Sequence, residues 1–213
     1  MTSLLENQEP TVIVIDDDQG VRESLEALLQ SVGLVSLLFA SVQEFLEARS
    51  IDRPGCMLLD VRLPGRSGLD FQHEMQLANN RLPVIFITGH GDIPMTVRAM
   101  KAGATEFLTK PFNEQHLLDA IYSAIALDRS RREVDSNRGH LMASYLTLSV
   151  RERAVMALVV EGYMNKQIAA ELHLAEVTVK KYRGQVMQKM KARSVADLVK
   201  MSERLPTHQT SKY

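Results

Sequence analysis

Residues 12–20 read VIVIDDDQG. Four β-branched apolar residues run directly into three aspartates. Val and Ile suit a pleated strand packed on both faces, and an unbroken apolar run of this length fits a buried strand of a parallel sheet. A block of carboxylates at its tip is costly to bury, since like charges repel and desolvation penalises ionised groups. The stretch therefore predicts a strand whose carboxyl end opens onto a polar site, and it directs attention to the residues that follow the other strands.

Working outward, short apolar runs alternate with segments of helical period across the front of the chain. Strands are expected at 11–15, 35–39, 56–59, 84–88 and 106–109. Between and after them, apolar residues recur at helical spacing, as in Val21, Leu25, Leu28, Leu29 and Val32, and again in Leu117, Leu118, Ile121 and Ile125. Val42, Phe45 and Leu46 mark a second helix, Leu69, Phe71, Met75 and Leu77 a third, and Met95, Val97, Ala99 and Met100 a fourth. Gly33 and Gly103 stand where helix ends need them. Asp18 is expected to cap the first helix. The expectation is an α/β unit, a (βα)5 doubly wound parallel sheet of flavodoxin-like order 2-1-3-4-5.

In such a sheet ligands gather beyond the carboxyl ends of the strands. The first strand ends at Asp16 and Asp17, the third at Asp60, the fourth at Thr88 and the fifth at Lys110. The first and third strands are neighbours about 4.8 Å apart, so their three carboxylates face one another. Such a cluster calls for a cation, and hard oxygen ligands favour Mg²⁺. A phosphoryl group arriving at Asp60 would present anionic oxygens to Mg²⁺, to the Lys110 ammonium and to the Thr88 hydroxyl. Asp60 would be the nucleophile and form an acyl phosphate. The bland alternative, aspartates serving only as helix caps, leaves the Lys110 and Thr88 positions unexplained.

Composition sets limits. The 213 residues are 45% hydrophobic and 24% charged, with a net charge of −1. No apolar run approaches the 18–20 residues, roughly, of a membrane span, and residues 1–10 lack a secretory pattern. The lone Cys56 lies in an apolar run and is expected to be packed rather than reactive. Residues 1–127 carry a net −8, residues 128–145 a net +1 and residues 146–213 a net +6. An acidic front and a basic rear indicate two domains with different partners, the rear one drawn to polyanions.

The middle stretch, DRSRREVDSNRGHLMASY (128–145), alternates arginines with acids. It is read as a helical linker extending the fifth helix, then a hinge at Ser136, Asn137 and Gly139. Residues 146–213 have helical pattern and no strand-like run. Ser149 and Glu152 have capping-box spacing, Asn165 opens a second helix, Glu176 a third, and Ser194 caps a fourth. Val177, Val179, Val186, Met187 and Met190 are assigned to the inside of the third helix. Thr178, Lys180, Lys181, Arg183, Gln185 and Lys189 are placed outward. A short helix, a turn and a helix with a basic outer face form an all-α four-helix helix-turn-helix domain.

IDDD (15–18), LLDVRLPGRSG (58–68), ITG (87–89) and FLTKPF (107–112) resemble the receiver domain of two-component response regulators. The stretch 146–198, with its EGYMNKQIA, TVK and VMQKM elements, resembles the LuxR-type DNA-binding domain. Together they resemble the NarL/FixJ response regulators, in the FixJ-like group. The resemblance implies a receiver over 1–127 phosphorylated on Asp60 by a sensor histidine kinase. Mg²⁺ would be held by Asp16, Asp17, Asp60 and the backbone carbonyl of Arg62. Thr88 and Phe107 would act as the switch, with Lys110 joined to Pro111 by a cis bond. Arg62 and His90 stand where receivers tune phosphate lifetime. The LuxR-type domain over 146–213 would bind double-stranded promoter DNA through Asn165, Lys166, Thr178, Lys180, Lys181, Arg183 and Lys189. Tyr182 and Gly184 depart from common family residues in the reading helix. The implied protein is a cytoplasmic transcription regulator, more an activator than a repressor. It would act as a homodimer when phosphorylated, with RNA polymerase as a further partner and no membrane. It would not be an enzyme beyond self-phosphotransfer and autodephosphorylation. A Mg²⁺-dependent phosphatase is the rival reading, and Arg62 argues against it, since such enzymes carry a second acid there. A receiver with an RNA- or protein-binding tail is the other.

Overall fold

The computed structural model describes residues 9–48, 52–89 and 91–205. The chain forms two compact units that divide between Glu133 and Val134, inside the expected connector.

The first unit is built on β1 (Thr11–Ile15), α1 (Gln19–Ser31), β2 (Val35–Phe39), α2 (Val42–Glu47), β3 (Gly55–Asp60), α3 (Gly68–Leu77), β4 (Val84–Thr88), α4 (Ile93–Lys101), β5 (Glu106–Thr109) and the part of α5 (Glu114–Leu146) up to Glu133. The strands form one parallel sheet in the order β2-β1-β3-β4-β5, as the alternation of elements predicted. Alternate strand residues enter two cores. Val12, Val14, Leu58 and Ile85 pack with Leu25 and Leu29 of α1 and Leu117, Ile121 and Ile125 of α5. Ile13, Ile15, Leu59 and Phe86 pack with Val42 of α2, Phe71 and Met75 of α3 and Ala99 of α4. Each fully buried aliphatic side chain contributes about 1.5–3 kcal/mol of transfer free energy, so these layers fix the sheet against both helical faces. Cys56 lies in the first core, where burial pushes its thiol up to about 12 and leaves it unreactive.

Three expectations about side-chain placement change. β2 is an edge strand, and Val35 and Leu37 stay exposed because a strand with one neighbour lacks cover on its open side. The inward face of α3 is carried by Phe71, Gln72 and Met75, while Leu77 points outward and is 75% exposed. On α4 only Ala99 is buried, leaving Val97 and Met100 exposed. Helix termini follow the sequence: Asp18 accepts from the backbone of Gly20 and Val21, and Gly33 and Gly103 adopt φ of +74°.

The expected break at Ser136, Asn137 and Gly139 is absent, because α5 runs unbroken through all three. A glycine costs a helix only about 1 kcal/mol, and an already nucleated helix flanked by Arg, Glu, Leu and Met propagates past it. The helix is also tied to the sheet beyond residue 127. The buried Asp128 carboxylate accepts from the Gly55 N–H at 3.0 Å and from Arg132 Nε at 2.8 Å. Arg132 in turn pairs with Asp52 at 2.7 Å.

The second unit holds α6 (Val150–Val160), α7 (Asn165–Glu171), α8 (Glu176–Lys189) and α9 (Val195–Arg204). Val155, Val159, Ile168, Val179, Val186, Met190 and Leu198 form its core. Ser149 and Glu152 make the anticipated capping box, and Ser194 caps α9. One residue moves from its expected place: Val177 is 77% exposed. It lies two positions before the buried Val179 on α8, and residues that close are about 200° apart around a helix and cannot share a face. Among the described residues no helix is long and apolar enough to cross a membrane.

Candidate functional site

The parallel register brings the carboxyl ends of β1, β3 and β4 level, with Ile15 beside Leu59 and Asp60 beside Ile87. Asp16, Asp17 and Asp60 therefore meet, each offering a carboxylate oxygen within 4.8 Å of the others. Asp16 and Asp60 are buried, whereas Asp17 is exposed. Lys110, just past β5, reaches across to both buried acids, with Nζ 2.6 Å from Asp16 Oδ2 and 3.4 Å from Asp60 Oδ2. Burial pushes the Asp16 carboxyl above its ordinary value, opposed by the Lys110 hydrogen bond. Burial acts to lower Lys110, but Asp16 and Asp60 outweigh it and hold the ammonium above its ordinary value. Three carboxylates and one ammonium leave an excess of negative charge, a donor set suited to a hard divalent cation.

Backbone and neighbouring groups aim these side chains. Asp16 Oδ1 accepts from the Asp18 N–H at 3.0 Å, and Asp60 Oδ1 accepts from the Arg62 N–H at 3.2 Å. Arg22 Nη1 donates to the Asp16 carbonyl at 2.6 Å, fixing the chain where it leaves β1. Sequence reading missed Arg22, whose only signal is a basic residue in the first turns of a helix that follows an acidic strand tip. Gly68 opens α3 against Asp60; a Cβ there would lie 2.2 Å from the Asp60 carbonyl oxygen. Thr88 is buried at the end of β4, and its carbonyl accepts from the Lys110 N–H at 2.8 Å. The Lys110–Pro111 bond is cis. Phe107 is half-buried, its ring 6.1 Å from that of Phe86. His90 lies outside the described residues.

The second unit presents the other candidate residues. Lys166 on α7 and Lys180 and Lys181 on α8 are exposed, while Asn165, Thr178 and Arg183 are half-buried. Arg183 Nη1 donates to Asn165 Oδ1 at 2.9 Å, joining α8 to the start of α7. Lys189 is engaged within the domain. Its Nζ lies 2.7 Å from Oε2 of Glu152, which is 2% exposed, and 3.2 Å from the Thr147 carbonyl. The Lys189 hydrogen bond, with that from the Ser149 N–H, holds the Glu152 carboxyl below its ordinary value.

Two family models match: response regulator receiver domain over residues 12–122, and bacterial regulatory proteins, luxR family, over residues 146–202. Nodulation protein W of Bradyrhizobium diazoefficiens is 57% identical over 91% of this chain and 86% of its own. The solved structure of the response regulator StyR is 49% identical, with a TM-score of 0.86, covering 92% of this chain and 99% of that one. Full-length FixJ from B. japonicum is 38% identical with a TM-score of 0.56, covering 93% and 98%. With acids, threonine and lysine converging on one sheet edge and a helix-turn-helix unit behind, the chain belongs to the two-component response regulators that join a receiver domain to a LuxR-type DNA-binding domain and regulate transcription.

Proposed function

We propose that Asp60 is the phosphoacceptor and that its phosphorylation switches promoter binding by the LuxR-type domain. The observation that carries this reading is the meeting of Asp16, Asp17 and Asp60 within 4.8 Å, with Lys110 Nζ bridging the two buried acids. In the transfer, an Asp60 carboxylate oxygen bonds to phosphorus while the N–P bond of the kinase phosphohistidine breaks, its electron pair leaving on the imidazole nitrogen. Lys110 and the Thr88 hydroxyl hold the incoming phosphoryl oxygens. Mg²⁺, held by Asp16, Asp17, Asp60 and the Arg62 carbonyl, would supply the countercharge that lets a dianionic phosphoryl group approach a carboxylate.

The acyl phosphate carries about −1.5 to −2 charge in place of the single negative charge of the carboxylate, and brings it on three oxygens at the edge of the sheet. Lys110, already shared between Asp16 and Asp60, is drawn toward it, Thr88 follows, and Phe107 turns inward behind Thr88. The altered face is that of α4, β5 and α5. It favours a homodimer or frees the DNA-binding domain, a population shift of a few kcal/mol. Asn165, Lys166, Thr178, Lys180, Lys181 and Arg183 contact promoter DNA, lysines on phosphates and the start of α8 at base edges. Lys189 joins them only with whatever donor capacity Glu152 and Thr147 leave it. RNA polymerase is the downstream partner, activation the output and the cytoplasm the compartment. The chain turns over no outside substrate, only its own phosphoryl group.

The test is phosphorylation of the full-length chain with acetyl phosphate and Mg²⁺, followed on phosphate-affinity gels, with promoter binding measured in parallel. The wild type should accept one phosphoryl group and bind DNA more tightly, and Asp60→Asn should do neither. Unchanged labelling and phosphate-dependent binding in Asp60→Asn would end this reading.

A further inference from the structure

α8 turns one strip of residues away from its domain. With 3.6 residues per turn, Val177, Lys181, Gly184 and Gln188 fall within about 60° of one another around the helix, and all four are exposed. Lys180, beside the strip, is exposed as well. The opposite side carries the buried Val179 and Val186. Val177 is the one apolar side chain on the strip. It is 77% exposed and takes no part in the core built on Val155, Ile168, Val179 and Leu198. Nor does it serve the helix. It stands in the first turn, directly after Glu176, where valine makes no side-chain cap and has lower helix propensity than alanine. The fold of the domain thus gives no reason for a branched apolar side chain held in solvent at this position. Gly184 is equally unexplained by packing, since a Cβ there would meet nothing within 4 Å and glycine weakens a helix interior.

We propose that Val177 is a specificity-determining residue that packs on the C5-methyl group of a thymine in the DNA major groove. The second helix of a helix-turn-helix lays its N-terminal residues against base edges. Thymine is the base that presents a methyl group there, and apolar side chains are its match. Val177 occupies that N-terminal turn and points out of the domain with Lys180 and Lys181 one turn further on, where ammonium groups meet phosphate or guanine. Gly184, on the same strip, adds no side chain between the helix and the groove. The inference rests on α8 being the reading helix, and it adds the class of base that the start of the helix selects.

The test begins with the full-length chain, acetyl phosphate and Mg²⁺, used to select duplexes from a random DNA library. Each thymine of the selected duplex is then replaced singly by deoxyuridine, which differs only in lacking the C5-methyl. Binding of wild type, Val177→Ala and Val177→Ile is followed by fluorescence anisotropy. At one thymine position the uracil duplex should bind wild type about fourfold more weakly, the effect of one methyl group left unburied. Val177→Ala should bind the thymine and uracil duplexes equally, and Val177→Ile should keep the discrimination. The salt slope of Val177→Ala should equal that of wild type, because no phosphate contact is lost. Val177 lies outside the core, so the variants should melt with the wild type. Uracil penalties that are the same in wild type and Val177→Ala at every position would overturn the assignment while leaving α8 as the reading helix. So would a loss of affinity in Val177→Ala that is uniform across thymine and uracil duplexes. A chain that enriches no duplex at all would end the promoter-binding reading and this inference with it.

Discussion

Lys189 shows how far a single side chain can differ from its sequence reading. A lysine on the outer face of a reading helix is naturally assigned to DNA phosphate, yet its ammonium sits on the buried Glu152. The two roles separate by salt. Losing a phosphate contact lowers the slope of log affinity against log salt by about 1, whereas losing a positioning contact lowers affinity and keeps the slope. Lys189→Met is expected to weaken promoter binding while keeping the wild-type slope, whereas Lys180→Met lowers the slope by about 1, both measured by fluorescence anisotropy from low to moderate salt. It should also destabilise the C-terminal domain by about 2 kcal/mol, less than for a fully buried pair because Lys189 is partly solvated. Glu152 adds a pH signature. Its folded-state pKa is depressed, so its contribution is present above the ordinary glutamate value of about 4.3 and is lost as pH falls through the lower folded value. Denaturation of wild type below that pH should show this loss, and Glu152→Gln should lack it.

Helices and strands are where glycine and backbone spacing act. Gly68 brings α3 against the tip of β3, and a methyl there would meet the Asp60 carbonyl oxygen at 2.2 Å. Gly68→Ala is expected to cost about 2 kcal/mol or more by forcing the helix off the strand, read by chemical denaturation, and to reduce acetyl-phosphate labelling as Asp60 shifts. Gly139 is the converse. It lies within α5, exposed, with nothing within 4 Å of an added Cβ. Gly139→Ala should stabilise the helix by about 0.5–1 kcal/mol, seen as a higher melting temperature with unchanged DNA affinity. A fall in stability there would show that residue 139 serves as the hinge its sequence implies.

For the chain entire, the division between Glu133 and Val134 has a consequence for dissection. A receiver ending at residue 127 loses Asp128, and with it the acceptor of the buried Gly55 N–H. Residues 1–133 should therefore unfold at higher denaturant than residues 1–127, by about 1–3 kcal/mol, in urea titrations of the two fragments. The charge is divided in the same way: the rear unit, basic over residues 146–213, is the one attracted to polyanionic DNA, with salt-sensitive affinity, and the acidic front unit is not.

The alternation of apolar runs and helical periods was enough to place five strands, their order and the convergence of Asp16, Asp17, Asp60, Thr88 and Lys110, because strand ends in a parallel sheet are fixed by periodicity that lies in adjacent residues. Capping residues such as Asp18, Ser149 and Ser194 were legible for the same local reason. Contacts between residues far apart in the chain were not. Lys110 lying on Asp16 as well as Asp60, Arg22 on the Asp16 carbonyl, Asp128 on Gly55 and Lys189 on Glu152 all join elements that folding alone brings together. A charged side chain shows the same letter whether solvated or buried against a partner, and burial is set by what the rest of the chain packs around it.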